Sequence, residues 1–185
     1  EVIAALGVDI TRRNELPDLL GLRIDAVVSL WYAQQPWVGT SLTEVTQRII
    51  ARAISLVEET RPLLPGVETA LQLCQQEGLK IGLASASPLH MLEQVLDMFQ
   101  LRHYFSTLAS AEHLPWSKPH PQVYLNASDQ LGVDPLCCVT LEDSVNGMIA
   151  TKAARMRSIV VPAPENQLDP RWALANIKLP SLTAL

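Results

Sequence analysis

Apolar residues follow one rhythm before Pro62 and two after it. Within residues 1–61 they fall at helical intervals throughout. Ile24, Val27, Val28, Trp31 and Tyr32 share one stripe of a helix predicted from Arg23 to Gln34, ahead of Pro36. Ser41 and Glu44 form a capping box that opens a longer helix through Val45, Ile49, Ala53, Leu56 and Val57. Trp31, Tyr32 and Trp37 read as packing between these helices.

After Pro62 and Pro65-Gly66 helices and short apolar runs alternate. The predicted helices are Val67 to Gln76, Leu89 to Phe99, Pro121 to Leu131 and Val145 to Arg155, with Gly78 and Gly132 as stops. Ser87 is placed as the N-cap of the second of these, and Pro88 in its first turn. The predicted strands are Lys80 to Ala84, Thr107 to Ala109, Cys138 to Leu141 and Ser158 to Val161. A short helix and an edge strand follow within residues 169–185. Near-continuous apolar strands between amphipathic helices indicate an α/β fold, a parallel sheet with helices on both faces.

Composition narrows the classes. With 48% hydrophobic and 18% charged residues the chain can bury a core. A net charge of −5 offers no basic field, so nucleic acid is not an expected partner and any anionic substrate needs a local cluster of donors. Cys74, Cys137 and Cys138 contain no C-x-x-C and read as small buried hydrophobes in a reducing compartment. No apolar run approaches the roughly 18 residues needed to span a bilayer, so no membrane association is expected. The opening, Glu1 to Asp9, lacks the pattern of a signal peptide and reads like the end of a helix. The natural N-terminus is therefore expected further upstream.

Three strand ends or helix starts carry candidate chemistry. Ser85 ends the run Lys80 to Ala84; its hydroxyl, with the Ala86 and Ser87 amides at a helix start, can face an oxyanion, or Ser85 is a plain capping serine. Lys118, between Ser117 and Pro119, can neutralise a phosphate or simply be solvated. Glu142-Asp143 ends an apolar strand, where charge is costly unless compensated. Mg²⁺, which takes one or two carboxylates with waters and phosphate oxygens, would compensate it. Asp143 or Ser144 can also cap the following helix. His113 and His120 have no partner at ligand spacing and read as surface histidines.

The ordered set Ala84-Ser85-Ala86-Ser87, Ser117-Lys118-Pro119-His120-Pro121 and Leu141-Glu142-Asp143-Ser144-Val145-Asn146-Gly147 resembles the second, third and fourth motifs of the haloacid dehalogenase-like hydrolase superfamily. Within it, the sugar-phosphatase and β-phosphoglucomutase-like branch fits best. Leu20-Gly21-Leu22-Arg23, Trp31-Tyr32, Leu63-Leu64-Pro65-Gly66-Val67 and Ala84 to Leu92 look like bacterial phosphatases of that branch. The resemblance covers essentially the whole chain. It implies a Rossmann-like core over residues 62–185 and a helical cap over residues 1–61, in a cytoplasmic enzyme using Mg²⁺. The implied substrate is a small phosphorylated sugar or sugar alcohol, of the 2-deoxyglucose-6-phosphate or hexitol-phosphate type. Ser85, the Ala86 and Ser87 amides and Lys118 would hold the phosphoryl group. Asp143 would bind Mg²⁺ with Glu142 as direct or indirect partner, and Arg23 would meet the substrate's polar end or stay solvated.

One motif has no counterpart. The family's first strand ends in Asp-x-Asp, the first Asp attacking phosphorus and the second acting as acid and base. No Asp-x-Asp occurs in the 185 residues, so neither role is assigned within this chain. That strand is central in the family, and without it a gap with two unpaired edges is expected in the sheet. The chain by itself is expected to be unstable and inactive. A phosphosugar mutase of the β-phosphoglucomutase type shares the same core motifs and is the second enzymatic reading. A fragment that binds phosphate weakly and turns nothing over is the third. Preferred sugar and oligomeric state stay open.

Overall fold

The structure, a computed structural model, describes residues 1–185. Residues 1–61 contain no strand. Short 3-10 turns lead into α1 (Ile24–Gln34) and α2 (Leu42–Thr60). Ser41 caps α2, its Oγ accepting from the Glu44 amide at 3.2 Å. The capping box is only half made, because the Glu44 carboxylate pairs with Arg48 one turn on. Val8, Val28, Trp31, Trp37 and Val45 form a buried cluster of their own, with Tyr32 edge-on to Trp37 at 4.9 Å. Tyr32 stands at the surface of this cluster rather than inside it.

From Val67 the chain alternates as α3 (Val67–Gln76), β1 (Gly82–Ser85), α4 (Leu89–Met98), β2 (Thr107–Ser110), α5 (Gln122–Leu131), β3 (Val139–Glu142), α6 (Val145–Ala153) and β4 (Arg157–Val160), closing with β5 (Ile177–Lys178). The strands lie one or two residues from the predicted runs. β1 starts at Gly82 because its register is set by β2, Gly82 opposite Thr107 and Ser85 opposite Ser110. Ser87 does not cap α4: Pro88 occupies that position, and the free Leu89 amide donates to Glu112 Oε2 instead. The cysteines are free but not fully buried, and Cys137 is exposed.

All strand pairs are parallel, in two separate sheets, β1-β2 and β3-β4-β5. Carbonyls of Ile81 and Ser85 accept from Ser106 and Ala111, and those of Cys138 and Glu142 from Arg157 and Val161. Alternate residues of a parallel strand face opposite neighbours. The backbone groups of Gly82, Ala84, Val139 and Leu141 therefore point away from these partners. Val139 and Leu141 are 56% and 45% exposed, so β3 is an open edge with an uncovered apolar face.

The helices hold the two sheets in one orientation. α5 packs across β1 and β2, α6 against β3 and β4, and α5 touches α6. Ala109, Ala111, Val123, Tyr124, Ala127, Ala150, Ala154 and Met156 form the shared core. Near its end α5 lies over the start of β1, where a side chain at Gly82 would meet Leu131 Cδ1 at 3.1 Å. Near its beginning Tyr124 reaches Glu142 at the end of β3. The C-terminal ends of both sheets thus share one side of the molecule, where open α/β folds bind ligands.

Candidate active site

Lys118 and Glu142 cross between the sheets. Lys118 lies in the segment after β2, Glu142 is the last residue of β3, and they are 7% and 8% exposed. Lys118 Nζ donates to Glu142 Oε1, as does the Tyr124 hydroxyl. Glu142 Oε2 accepts from Ser144 Oγ at 3.1 Å, while Ser144 Oγ also caps α6 by accepting from the Gly147 amide at 3.0 Å. Gly147 is required here, because a Cβ on it would overlap the Glu142 carboxylate. Both carboxylate oxygens are thereby satisfied by protein donors, the condition for keeping a buried charge.

The Lys118 ammonium has donors to spare. Its one protein acceptor is Glu142, and the Tyr124 ring centroid lies 4.8 Å from Nζ. Burial, the adjacent Glu142 charge and the hydrogen bond to it raise the Tyr124 pKa well above the ordinary phenol value. The phenol therefore stays a donor.

Asp143 differs from its neighbour. It turns outward beside a cavity of about 290 Å³ lined among others by Arg13, Asn14, Asp18, Asn166 and Arg171. Desolvation and the Glu142 charge raise its carboxyl pKa above the usual value, with Lys118 opposing. A carboxylate held up by a like-charged neighbour is one that a cation relieves. No three His, Cys, Asp or Glu side chains cluster tightly enough to cage a metal. One free carboxylate with a second behind it still fits Mg²⁺, which keeps several waters and takes phosphate oxygens.

Ser85 stands at the end of β1 on the same side, with its Oγ accepting from the Ser87 amide at 3.1 Å. The Ser87 carbonyl accepts from Ser110 Oγ at 2.7 Å. The Ser87 amide is thus engaged within the loop; the Ala86 amide has no protein acceptor. Ser85 is bonded to neither Lys118 nor Asp143. Arg23, expected to meet a substrate or to stay solvated, is engaged by the protein itself. Its Nε and Nη2 pair with Asp25, and Nη1 donates to the carbonyls of Ala111 (3.2 Å) and Leu114 (2.5 Å). Four of its five N–H donors are thereby used within the protein. His113 is solvated and His120 Nδ1 accepts from the Gln122 amide, so neither has a ligand's environment.

Further ties join the loop before α1 to the core. Asn146 Nδ2 donates to the Leu20 carbonyl at 2.8 Å, and Arg171 pairs with Asp18 at 3.1 Å. Gly21, at φ 79°, passes so close to α6 that a Cβ would sit 2.6 Å from Ser144 Oγ. Tyr124, Ser144, Gly147 and Asn146 carry this arrangement; the sequence gives Ser144 a capping role and places Asn146 and Gly147 only within the motif that follows β3. The Gly147 side chain's absence directly behind an acidic pair was the one readable signal. Tyr124 had none, since an apolar-face tyrosine on a helix looks like core.

Comparison with known proteins agrees with the fold. Hexitol phosphatase B of Escherichia coli K12 is 74% identical over 185 residues, all of this chain and 83% of that protein. The crystal structure of CbbY from Rhodobacter sphaeroides in complex with phosphate superposes with a TM-score of 0.84 at 26% identity, over 98% of this chain and 84% of that one. β-Phosphoglucomutase from Clostridium difficile gives 0.81 at 27% identity, over 100% and 82%. The sequence profile of the haloacid dehalogenase-like hydrolases matches residues 18–155. The chain belongs to the haloacid dehalogenase-like hydrolases and is a phosphatase-type enzyme of the hydrolase class.

Proposed function

We infer that the protein carrying this chain hydrolyses phosphate monoesters of small sugars or sugar alcohols in the cytoplasm. The observation that carries this reading is the buried Lys118–Glu142 pair, which presents an ammonium with unused donors beside an outward carboxylate at the sheets' C-terminal edge. The 74% identity to hexitol phosphatase B supports the substrate class. The cavity beside Asp143, with its amide and guanidinium groups, suits a hydroxyl-bearing ligand.

Phosphoryl transfer is mostly positioning and charge stabilisation. Lys118 supplies positive charge to the equatorial oxygens, and the Ser85 hydroxyl and Ala86 amide supply neutral donors. Glu142 orients Lys118 rather than meeting the substrate. Asp143 is the residue to hold Mg²⁺, which phosphatases of this family generally use and which would neutralise phosphoryl charge. The attacking carboxylate is assigned to a residue outside these 185. The helical segment 1–61 acts as the cap over the core 62–185, the loop around Gly21 closing the site.

Phosphate release from hexitol phosphates and 2-deoxyglucose 6-phosphate by the complete protein tests the reading. Wild type should turn these over with Mg²⁺, and Asp143→Ala should abolish turnover; full activity in Asp143→Ala would remove Asp143 from the mechanism. The likeness to β-phosphoglucomutase supports a mutase as the second reading. Isomerised sugar phosphate appearing only with added sugar bisphosphate would favour it.

A further inference from the structure

Tyr124 is the one buried titratable group at this edge without a part in the mechanism above. It sits in the first turn of α5 and is 5% exposed. Two of its groups meet the Lys118–Glu142 pair independently. Its hydroxyl donates to Glu142 Oε1, the same oxygen that accepts from Lys118, and its ring faces Lys118 Nζ at 4.8 Å. A carboxylate oxygen has two lone-pair directions. With the phenol on one, Lys118 spends a single N–H on Oε1. Ser144 Oγ holds the other oxygen, so the carboxylate cannot swing to follow the ammonium. The remaining Lys118 N–H groups stay directed away from Glu142.

We propose that Tyr124 is a positioning residue: by occupying Glu142 Oε1 and lying against the ammonium, it fixes how many Lys118 donors a bound phosphoryl group receives. The inference rests on Lys118 being a phosphate ligand. Simple core packing is the competing explanation, and it needs only the ring.

Tyr124→Phe in the complete protein separates the two, since it keeps the ring and deletes the hydroxyl. kcat/KM should fall, and the inhibition constant of inorganic phosphate should rise, each about tenfold, the scale of one hydrogen bond to a charged group. In a Lys118→Ala background the same change should cost almost nothing, because the group it positions is gone. Thermal unfolding of each variant reports folding, and Tyr124→4-fluorophenylalanine, which keeps the ring and roughly the hydroxyl's volume without its donor, repeats the test should Tyr124→Phe fail to fold. Equal losses in both backgrounds, or no loss with Lys118 present, would overturn the role of Tyr124. A harmless Lys118→Ala would instead overturn the phosphate site on which it rests.

Discussion

The two sides of the candidate site, at the ends of β3 and β1, are built differently. On the β3 side, Lys118, Glu142, Tyr124 and Ser144 are buried and mutually bonded before any ligand arrives. On the β1 side, Ser85 and Ser87 are half-buried, and the Ser85 hydroxyl's contact is an amide two residues along its own loop. The first side resists motion because moving any member strands a buried polar group, at about 1–3 kcal/mol or more for a charge. The second can trade its local bond for a phosphate oxygen at little cost. Charge is held rigidly, and neutral donors are left to adapt.

Substitutions can break this comparison. Lys118→Ala should have the largest effect, lowering kcat/KM by about 10²–10³-fold, as for removal of a donor to developing charge. It should also lower the melting temperature, because Glu142 loses its counter-charge in a buried site. A loss under about tenfold would mark the lysine as a structural partner only. Ser85→Ala should cost about 10-fold or somewhat more in kcat/KM and leave the melting temperature nearly unchanged, as expected for a hydroxyl donating to a charged ligand from a loose loop. A large stability loss there would show that the β1 side is as tightly built as the other.

The smallest effect concerns pH. Asp143 has a raised carboxyl pKa in the folded protein, from desolvation and Glu142. A group raised on folding favours the native state below its unfolded pKa, and that contribution is lost as pH rises through the folded value. In chelator, Asp143→Asn should therefore raise the melting temperature near about pH 7, with the gain shrinking toward about pH 4. Added Mg²⁺ should stabilise wild type but not this variant. A gain independent of pH would remove Asp143 from the coupled acidic pair.

Much of this was legible in the chain. The alternation after Pro62, the Gly132 stop and the polar strand ends came from local chemistry that tertiary packing did not override. The Ser87 cap was misplaced because Pro88 and Glu112, distant in sequence, settle that turn together. In the sequence Asp143 is the expected Mg²⁺ ligand and Glu142 its direct or indirect partner, with nothing to choose between those two places for Glu142. Glu142, the last residue of β3, turns inward to Lys118 while Asp143, just past the strand, turns outward, and the partner that fixes this lies across the sheets. The Arg23 ties to the core were illegible for a similar reason: its acceptors, Ala111 and Leu114, lie some ninety residues away.

The ties that fasten the loop before α1 also bear on timing. Arg23 grips the segment leading to Lys118, and Asn146 and Arg171 hold Leu20 and Asp18. While they stand, residues 18–23 are held against the C-terminal edge of the sheets, next to Asp143 and its cavity. Any opening of that loop must first break these contacts, so its rate is set by residues outside the Lys118–Glu142 cluster.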